Sequence, residues 1–550
     1  MGVREIVVSK EFERIVESLK EKGEAGPLRI SGLRVSSRAF VLSRLFLELN
    51  RSLIIFSVGD KEAEDMAGDL GFFLGSSSGS GSSGAIYVLP SYGVPLYHEN
   101  PPPPEVIHQR LSCLLALVST DRPIIVCAGV EAVLRKTIPH DVFLSSVHRL
   151  DQGRKVNMES LVRRISEGGY TRVNTVEIRG EYAVRGGIMD IFPSSSSSPC
   201  RLEFSGDEVV SLRTFDPSTQ RSTDVIREIL VPPAREVLLN EETLACMEDS
   251  LKALTDELDI PRRKRDELLE DLRSPEGQEN FLPLFYSRPG TLFEYLPSRS
   301  LITLDDPGKI DTQIDDLWEL AEERHEKVVA QKPLPPPKSF FLPPQGFRSS
   351  TEKLQRIALD PLGGVSGTGI EIQVSLPTAG GGPSKIRAES ILDRFAAQVK
   401  EWMDSGLRVF FVSQATERLQ RLFEEHYLRL LPSQEPFTMH WKLPEFSPQP
   451  VVLKGEISSG FVLPSEGLVV ISEDDIFGPR RKLPRPLPSP RPYLSYADLR
   501  EGDFVVHTAY GIGLYKGLQH LSTGGVDGDY LHLEYAEGDR LYLPLSLIHI

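Results

Sequence analysis

The 550-residue sequence has few cysteines, no long apolar run and no recognisable secretory leader. Its four cysteines are far apart and include no C-x-x-C pair, which favours reduced thiols over a disulfide framework or a zinc site. No apolar run reaches the roughly 20 residues that span a bilayer, and the N-terminal segment lacks the apolar core of a signal peptide. These absences predict a cytoplasmic protein without a membrane segment.

The sequence also shows no recognisable catalytic constellation. Its histidines have no H-E-x-x-H or comparable ligand spacing, and no serine lies in a G-x-S-x-G nucleophile elbow. We therefore predict neither a catalytic residue nor a resident metal in this chain. The net charge of −16 argues against indiscriminate nucleic-acid binding, although it leaves room for a local basic tract.

The stretch LRISGLRVSSRAF begins like a phosphate-binding loop, which requires Gly-x-x-x-x-Gly-Lys-Ser/Thr between a strand and a helix. Aligned on Gly32, this chain offers Ser37 for the second glycine, Arg38 for the lysine and Ala39 for the magnesium-binding hydroxyl. The forked guanidinium of arginine is a poor substitute for the compact lysine charge in a tight backbone cradle. We predict an inactive, degenerate nucleotide site that is kept as a strand–turn–helix.

A second acidic motif resembles the strand end that holds magnesium in motor ATPases. The apolar run LVVIS is followed by Glu473, Asp474 and Asp475. Because its own domain contains no phosphate loop, we interpret this motif as a solvated strand end.

The pattern of apolar residues and glycines along the chain predicts a multidomain α/β protein. Apolar runs that alternate with helical patterns are typical of buried parallel strands, whereas short glycine-punctuated strands are typical of antiparallel sheets. We place the domain boundaries where this pattern changes. The predicted segments are an α/β domain (1–146), an inserted α+β domain (147–232), a return to α/β (233–345), a linker (346–385), a small α/β domain (386–477), a basic proline-rich linker (478–494) and a small SH3-like β-barrel (495–550).

The basic proline-rich linker is a candidate DNA contact. Its first half holds Arg480, Arg481, Lys482 and Arg485 without an intervening acid. Proline keeps such a segment extended, and clustered cations bind DNA phosphates. The alternative interpretation is a solvated linker without a binding role.

Two blocks of sequence resemble known modules. EYAVRGGIMDIFP, followed by RLEFSGDE and FDPSTQRS, is similar to the UvrA-binding domain of UvrB. EGDFVVHTAYGIGLYKGL and GDYLHLEYAEGDRLYLPL are similar to the CarD-type RNA-polymerase-interaction domain. In this order, with an α/β part first, they resemble the N-terminal part of the bacterial transcription-repair coupling factor (Mfd) family. The resemblance implies that 1–146 and 233–345 are halves of one UvrB-like module with a degenerate, RecA-like P-loop.

The resemblance also implies two protein partners. UvrA is expected to bind the insert through Arg172, Arg185, Arg201 and Glu203, because paired arginines and acids suit a polar interface. The β subunit of RNA polymerase is expected to add a strand to the C-terminal domain. We predict that this occurs at Tyr530–Tyr535, where either Leu531 or Leu533 faces outward and the other lies in the core.

In this family a downstream motor binds ATP and magnesium and translocates on double-stranded DNA. The motor is not visible in this sequence, so no cofactor is expected in this chain and most DNA contact is expected elsewhere. We expect a monomer that recruits the repair machinery to stalled polymerase. Two alternatives stay open: a UvrB-like ATP-dependent repair enzyme, and a CarD-like transcription regulator.

Overall fold

The computed structural model describes most of the chain. The described residues are 9–20, 26–34, 36–75, 86–98, 100–258, 260–273, 277–329, 334–361, 369–377, 388–442, 449–478, 502–507, 511–523, 526–535 and 539–544. By internal contacts the chain divides into two compact units, Met1–Pro479 and Arg480–Ile550. The basic residues Arg480, Arg481, Lys482 and Arg485 lie outside the described residues, so their predicted DNA contact stays a prediction.

The larger unit is α/β, and the C-terminal unit contains strands. The helices are α1 (Lys10–Lys20), α2 (Ser36–Leu49), α3 (Asp60–Leu74), α4 (Pro104–Ser119), α5 (Val130–Leu134), α6 (His140–Ser146), α7 (Met158–Glu167), α8 (Glu241–Glu257), α9 (Arg262–Arg273), α10 (Leu282–Phe285), α11 (Pro307–Val329), α12 (Pro337–Phe340), α13 (Pro344–Glu352), α14 (Ala388–Asp404), α15 (Thr416–Glu424), α16 (Phe437–Lys442) and α17 (Glu473–Phe477). The strands are β1 (Leu28–Ser31), β2 (Leu53–Ser57), β3 (Ile86–Leu89), β4 (Ile125–Gly129), β5 (His148–Asp151), β6 (Thr171–Arg172), β7 (Glu181–Arg185), β8 (Ile188–Ile191), β9 (Cys200–Ser205), β10 (Glu208–Phe215), β11 (Ser222–Val225), β12 (Glu228–Val231), β13 (Leu301–Asp305), β14 (Arg356–Asp360), β15 (Ile370–Glu371), β16 (Arg408–Ser413), β17 (Leu431–Ser433), β18 (Val451–Lys454), β19 (Phe461–Leu463), β20 (Leu468–Ser472), β21 (Phe504–His507), β22 (Gly511–Thr523), β23 (Val526–Glu534) and β24 (Arg540–Pro544).

A seven-stranded parallel sheet organises the core module, which we define as residues 9–146 and 233–377. The strand order is β15-β1-β14-β13-β2-β4-β3. Strand β2 explains the continuous apolar pattern, because all five of its residues are buried. Ile54 and Phe56 join the hydrophobic core on one face, while Leu53 and Ile55 join the core on the other. A sheet covered on both faces requires such strands.

The segment predicted to be a linker, 346–385, instead completes this sheet. It contains the end of α13, and β14 pairs in parallel with β1 on one side and β13 on the other. It also supplies the edge strand β15 beside β1. The prediction of a linker was therefore wrong, because the proline- and glycine-rich flanks masked a short strand whose partners are distant in sequence.

The insert, residues 147–232, is built on a six-stranded sheet in the order β11-β10-β9-β8-β7-β6. Only β6 and β7 are parallel among its paired strands. Helix α7 is capped by Asn157, whose side chain accepts the Ser160 N–H at 2.9 Å, and the helix buries Leu161 and Ile165 in the core of the insert. Strands β5 and β12 pair at the two ends of the insert.

The third module, residues 386–477, has a five-stranded sheet in the order β17-β18-β16-β20-β19. One face packs on α14 and α15 in a separate hydrophobic core. The opposite face shares a hydrophobic core with the core module, in which Phe410 and Phe461 of the third module lie beside Phe40 and Phe73. The small α/β domain predicted as a separate body is therefore fused to the core module through a common core.

The C-terminal unit contains a four-stranded antiparallel sheet in the order β21-β22-β23-β24. Its small core includes Tyr515, Leu531 and Leu533. Among the described residues of both units, no helix is long and apolar enough to cross a membrane.

Candidate functional site

The loop after β1 keeps the glycine of a phosphate loop for a different reason. Gly32 has a φ of +86°, and a Cβ added to it would lie 2.2 Å from the carbonyl oxygen of Ile372. The Ile372 N–H in turn donates to the Ser31 carbonyl at 2.9 Å. Only glycine tolerates both this backbone conformation and so close an approach. The space next to Gly32 is thus filled by the backbone of Ile372.

The other three residues of the degenerate loop also have partners within the chain. The Ser37 hydroxyl donates to the Arg34 carbonyl at 2.6 Å, and Ala39 is buried. Arg38 forms an ion pair with Asp305 at the end of β13, with 2.5 Å between Nη1 and Oδ1. Burial raises the pKa of the Asp305 carboxyl, and the Arg38 charge opposes that shift. The cation that could have met a phosphate is neutralised by a carboxylate of the same sheet.

Three of the four residues predicted to bind UvrA share one face of the insert sheet. The register aligns Arg185 with Ile188, and Ile188 with Glu203. Arg201 precedes Glu203 by two residues and therefore points to the same face. Arg172 is aligned with Tyr182, whose side chain lies in the core on the other face. The sheet therefore separates Arg172 from the other three residues.

The two central arginines differ in their surroundings. Arg201 binds the Asp190 carboxylate through Nε at 2.7 Å and Nη2 at 2.9 Å, and its guanidinium lies 4.9 Å from the centre of the Phe215 ring. The hydrogen bond to Asp190 raises the pKa of Arg201. Arg185 is exposed and donates to the backbone carbonyl of Asn174. Arg185 is thus available to a partner, whereas the contacts of Arg201 with Asp190 and Phe215 stabilise the insert.

The insert sheet also exposes apolar residues that sequence reasoning missed. Val225 on the edge strand β11 is 70% exposed, and Ile188 is 39% exposed. Val225 is aligned with Arg213, which is aligned with Arg201, so it lies on the same face as Arg185. We define the open face by Arg185, Ile188, Arg201, Glu203 and Val225. The alternation of the strands could have indicated Ile188, but Val225 required the register of β10 and β11.

The predicted strand addition at Tyr530–Tyr535 is wrong. Strand β23 has β22 on one side and β24 on the other, and residues Tyr530–Glu534 are aligned with β24 throughout. The backbone of an inner strand is already hydrogen-bonded to its neighbours and cannot accept a further strand. Periodicity shows which residues share a face, but it does not show where a strand lies in a sheet.

The predicted division of Leu531 and Leu533 between the outside and the core is also wrong. Both side chains are buried, 4% and 3% exposed, and both contact the small core with Tyr515. Residues two apart in a strand point to the same face, so the two leucines share one environment. Tyr530 and Tyr535 at the two ends of this segment are half-buried.

Strands β22 and β23 extend beyond their outer neighbours. The pairing of β21 reaches Leu514, and the pairing of β24 begins at Tyr530. Beyond these points, His520–Thr523 pairs with Val526–Asp529 as a two-stranded ribbon. Leu518 lies on β22 two residues before the ribbon and is 49% exposed. Within the described residues, the outer edges of this ribbon are the ones that β21 and β24 leave uncovered.

No group of three or more histidine, cysteine or acidic residues is placed to hold a metal ion in the parts of the chain that the structure describes. The acidic end of β20 has a structural role instead. Asp475 and Ser472 form a capping box at the start of α17, in which each side chain accepts the backbone N–H of the other residue. This correction assigns Asp475 to the helix cap and not to a solvated strand end.

Two regions of the chain match protein-family models. Residues 149–237 match the UvrB interaction domain, and residues 499–550 match the CarD-like/TRCF RID domain. The chain is thus a multidomain α/β protein that contains both of these domains.

The relatives of the chain make the resemblance specific. A transcription-repair-coupling factor from Myxococcus xanthus is 34% identical over 98% of this chain and 46% of its own length. Those from Bacillus subtilis and Escherichia coli are 28% and 27% identical, over 98% and 82% of this chain and 46% and 39% of their own lengths. The resemblance to this family is confirmed, and the chain spans less than half the length of these relatives.

Proposed function

We propose that this chain recruits the nucleotide-excision machinery to stalled RNA polymerase in transcription-coupled DNA repair. The observation that carries the proposal is the presence of a UvrB interaction domain and a CarD-like/TRCF RID domain in one chain. The insert binds UvrA, and the C-terminal unit, which we propose is SH3-like, binds the polymerase β subunit. In the whole protein, an ATP-dependent translocase motor with bound magnesium displaces the polymerase along double-stranded DNA.

The UvrA-binding site is the open face of the insert. It combines an exposed cation at Arg185 with exposed apolar surface at Ile188 and Val225. Buried apolar anchors next to charged groups are the usual source of affinity and specificity in protein interfaces. Arg172, on the other face, contributes only if UvrA also reaches around the β6 edge.

Polymerase binding takes place at the β22–β23 ribbon rather than at the predicted strand. The uncovered backbone edges of the ribbon allow strand addition. Leu518 lies at the base of the ribbon and offers an apolar contact. Strand addition therefore remains the proposed mode, with a different strand as the acceptor.

A reciprocal pair of variants tests the two sites. Val225→Arg is expected to weaken capture of purified UvrA at least about tenfold while leaving capture of the polymerase β subunit unchanged. Leu518→Arg is expected to do the reverse. The magnitude corresponds to the loss of one interface anchor of ~1.4 kcal/mol or more. Unchanged binding of both partners by both variants, measured with folded protein, would reject the proposed sites.

The core module is proposed to be a degenerate, RecA-like P-loop module that binds no nucleotide. The Arg38–Asp305 ion pair and the close approach of Ile372 to Gly32 support this proposal. The test is ATP binding and hydrolysis by the purified chain. Hydrolysis that disappears in Arg38→Ala would favour the alternative of a UvrB-like ATPase, and polymerase binding without UvrA binding would favour a CarD-like regulator.

The basic linker is proposed to touch the DNA backbone near the polymerase. Neutralising Arg480, Arg481, Lys482 and Arg485 removes four cations, and each phosphate contact contributes roughly 0.9 to the slope of log K against log salt. The variant is therefore expected to bind duplex DNA with a shallower salt dependence. An unchanged slope would favour a solvated linker.

A further inference from the structure

Two motifs that resemble parts of a nucleotide site meet across a turn of the third module. The turn Ser458–Gly460 is the second half of the segment, residues 455–460, that connects β18 to β19. It lies between the start of α2, next to the degenerate loop, and the acidic end of β20. The functions proposed above assign no binding partner to the degenerate loop or to the acidic end of β20.

The first contact of the turn is with a buried carboxylate of the core module. Asp69, on α3, is 4% exposed. Its Oδ1 accepts the Ser458 N–H at 2.7 Å, and its Oδ2 accepts the Ser458 hydroxyl at 2.6 Å. Burial raises the pKa of Asp69 to about 6, so the carboxylate is still ionised above pH 7 and accepts both bonds. Hydrogen bonds to an ionised acceptor are stronger than those between neutral groups.

The second contact is with the start of α2. The Ser459 N–H donates to the Ser36 hydroxyl oxygen at 3.1 Å, and the Ser36 and Ser458 hydroxyl oxygens are also 3.1 Å apart. Ser36 is completely buried. The first residues of α2 are those that a working phosphate loop would turn towards a phosphate. In this chain a serine turn lies against them.

The third contact joins the turn to the acidic motif. The Asp475 Oδ2 accepts the Gly460 N–H at 2.7 Å, in addition to the Ser472 N–H and hydroxyl at 2.7 and 2.6 Å. A Cβ added to Gly460 would lie 2.4 Å from the backbone carbonyl oxygen of Val470, so glycine is required at this position. One carboxylate therefore holds both the turn and the first turn of α17, the helix that precedes the basic linker.

Neighbouring contacts close the same interface. Arg44 of α2 and Glu466 of the third module form a buried ion pair at 2.6 Å. The Phe437 ring lies 5.2 Å from the Phe73 ring and 6.0 Å from the Phe40 ring, centre to centre. These contacts join α2 and α3 of the core module to the third module, as the turn does.

We propose that the remnant of the phosphate loop is an intramolecular docking site whose ligand is the Ser458–Gly460 turn of the same chain. We call the set Ser36, Asp69, Ser458, Ser459 and Asp475 the serine latch. The latch fixes the third module on the core module and ties α17 to the start of α2. This role does not depend on UvrA or polymerase binding.

Hydrogen–deuterium exchange on the full chain tests the latch. Asp69→Asn and Asp475→Asn are each expected to speed exchange in residues 455–461 at least about tenfold, because each weakens charge-assisted bonds that hold the turn closed. Ser458→Ala, which removes a single hydroxyl, is the milder variant in case a carboxylate variant fails to fold. The same variants are expected to make a protease cut the third module from the core module more rapidly.

Matched controls come from the same helices. Asp65→Asn removes the same charge one turn before Asp69, and Asp474→Asn removes it next to Asp475; neither residue belongs to the latch. Exchange in residues 455–461 is expected to stay at the wild-type rate in both. The proposal is overturned if Ser458→Ala and a folded carboxylate variant also exchange at the wild-type rate, or if the controls accelerate exchange equally.

The same exchange experiment with added nucleotide distinguishes the latch from a working nucleotide site. Adding ATP and magnesium to the wild-type chain is expected to leave exchange in residues 32–37 and 455–461 unchanged. Protection of residues 32–37 by ATP would overturn the latch, because the start of α2 would then bind phosphate. Loss of UvrA or polymerase binding in unrelated variants would not affect this result.

Discussion

The insert sheet and the C-terminal sheet carry the two proposed partner sites in opposite ways. In the insert, Arg185, Ile188 and Glu203 lie in one row across three strands on an open face. In the C-terminal unit, the strand with the most regular alternation is an inner strand, and its leucines form the core. An alternating strand thus indicates a buried face, whereas availability to a partner depends on what covers the other face and both edges.

The largest expected effect contrasts two leucines of the C-terminal sheet. Leu531→Ala deletes a side chain that is 4% exposed and is expected to destabilise this unit by ~3 kcal/mol, as core truncations do. Leu518→Ala, at an exposed position, is expected to change stability by less than ~0.5 kcal/mol. Denaturant unfolding followed by exchange in residues 502–544 measures both. Equal losses of stability would mean that Leu531 and Leu518 do not differ in burial as described.

The next effect contrasts two arginines of the insert. Arg201→Ala leaves the Asp190 carboxylate, 7% exposed, without its guanidinium partner. We expect a loss of ~1–3 kcal/mol in insert stability, since an unpaired buried carboxylate is costly. Arg185→Ala is expected to leave stability within ~0.5 kcal/mol but to weaken UvrA capture. Thermal unfolding and capture assays on the same samples separate the two roles, and Arg201→Ala with Asp190→Asn is expected to recover part of the stability.

A smaller effect concerns the exposed apolar residues of the open face. Ile188→Ala is expected to alter the free energy of unfolding by less than ~0.5 kcal/mol, because its side chain is 39% exposed. It should nevertheless weaken UvrA binding several-fold, since only the complex buries it. Isothermal titration with UvrA gives the binding change. A stability loss as large as that of Leu531→Ala would place Ile188 in a core instead of on an open face.

The smallest expected effect is a pH dependence in the C-terminal sheet. Lys516 on β22 and Glu534 on β23 form an ion pair at 2.8 Å, and the hydrogen bond from Lys516 lowers the pKa of the Glu534 carboxyl. The stabilisation is therefore present above the ordinary glutamate pKa and is lost as the pH falls through the lowered value. Lys516→Met should flatten the acid limb of the unfolding curve for this unit. An unchanged limb would assign the acid sensitivity to other groups.

The strands of the core module could be predicted because their physical cause is local. Burial on both faces requires continuous apolar residues, and β2 and β4 have them. Strand β14 could not be predicted in the same way: its residues Arg356–Asp360 pair with strands more than 300 residues and about 50 residues away. Only those distant partners make the short segment a strand.

The candidate sites likewise differ in whether local residues or distant strand partners determine them. The departure from Gly-Lys-Ser/Thr at Ser37, Arg38 and Ala39 is visible in the sequence, and the inactive nucleotide site inferred from it stays a prediction. The pairing of Arg201 with Asp190 and that of Arg38 with Asp305 depend on strand register and sheet order. The inner position of β23 likewise depends on where β24 returns, which periodicity does not encode.

The carbonyl of Ile372 above Gly32 has a consequence for how this module can evolve. Writing Gly-Lys-Thr back into positions 37–39 would restore the letters of the motif but not the space, because the segment around β15 covers the loop and Asp305 is already partnered. The residues that positions 37–39 tolerate are therefore limited by the packing around Gly32 and by the Arg38–Asp305 ion pair.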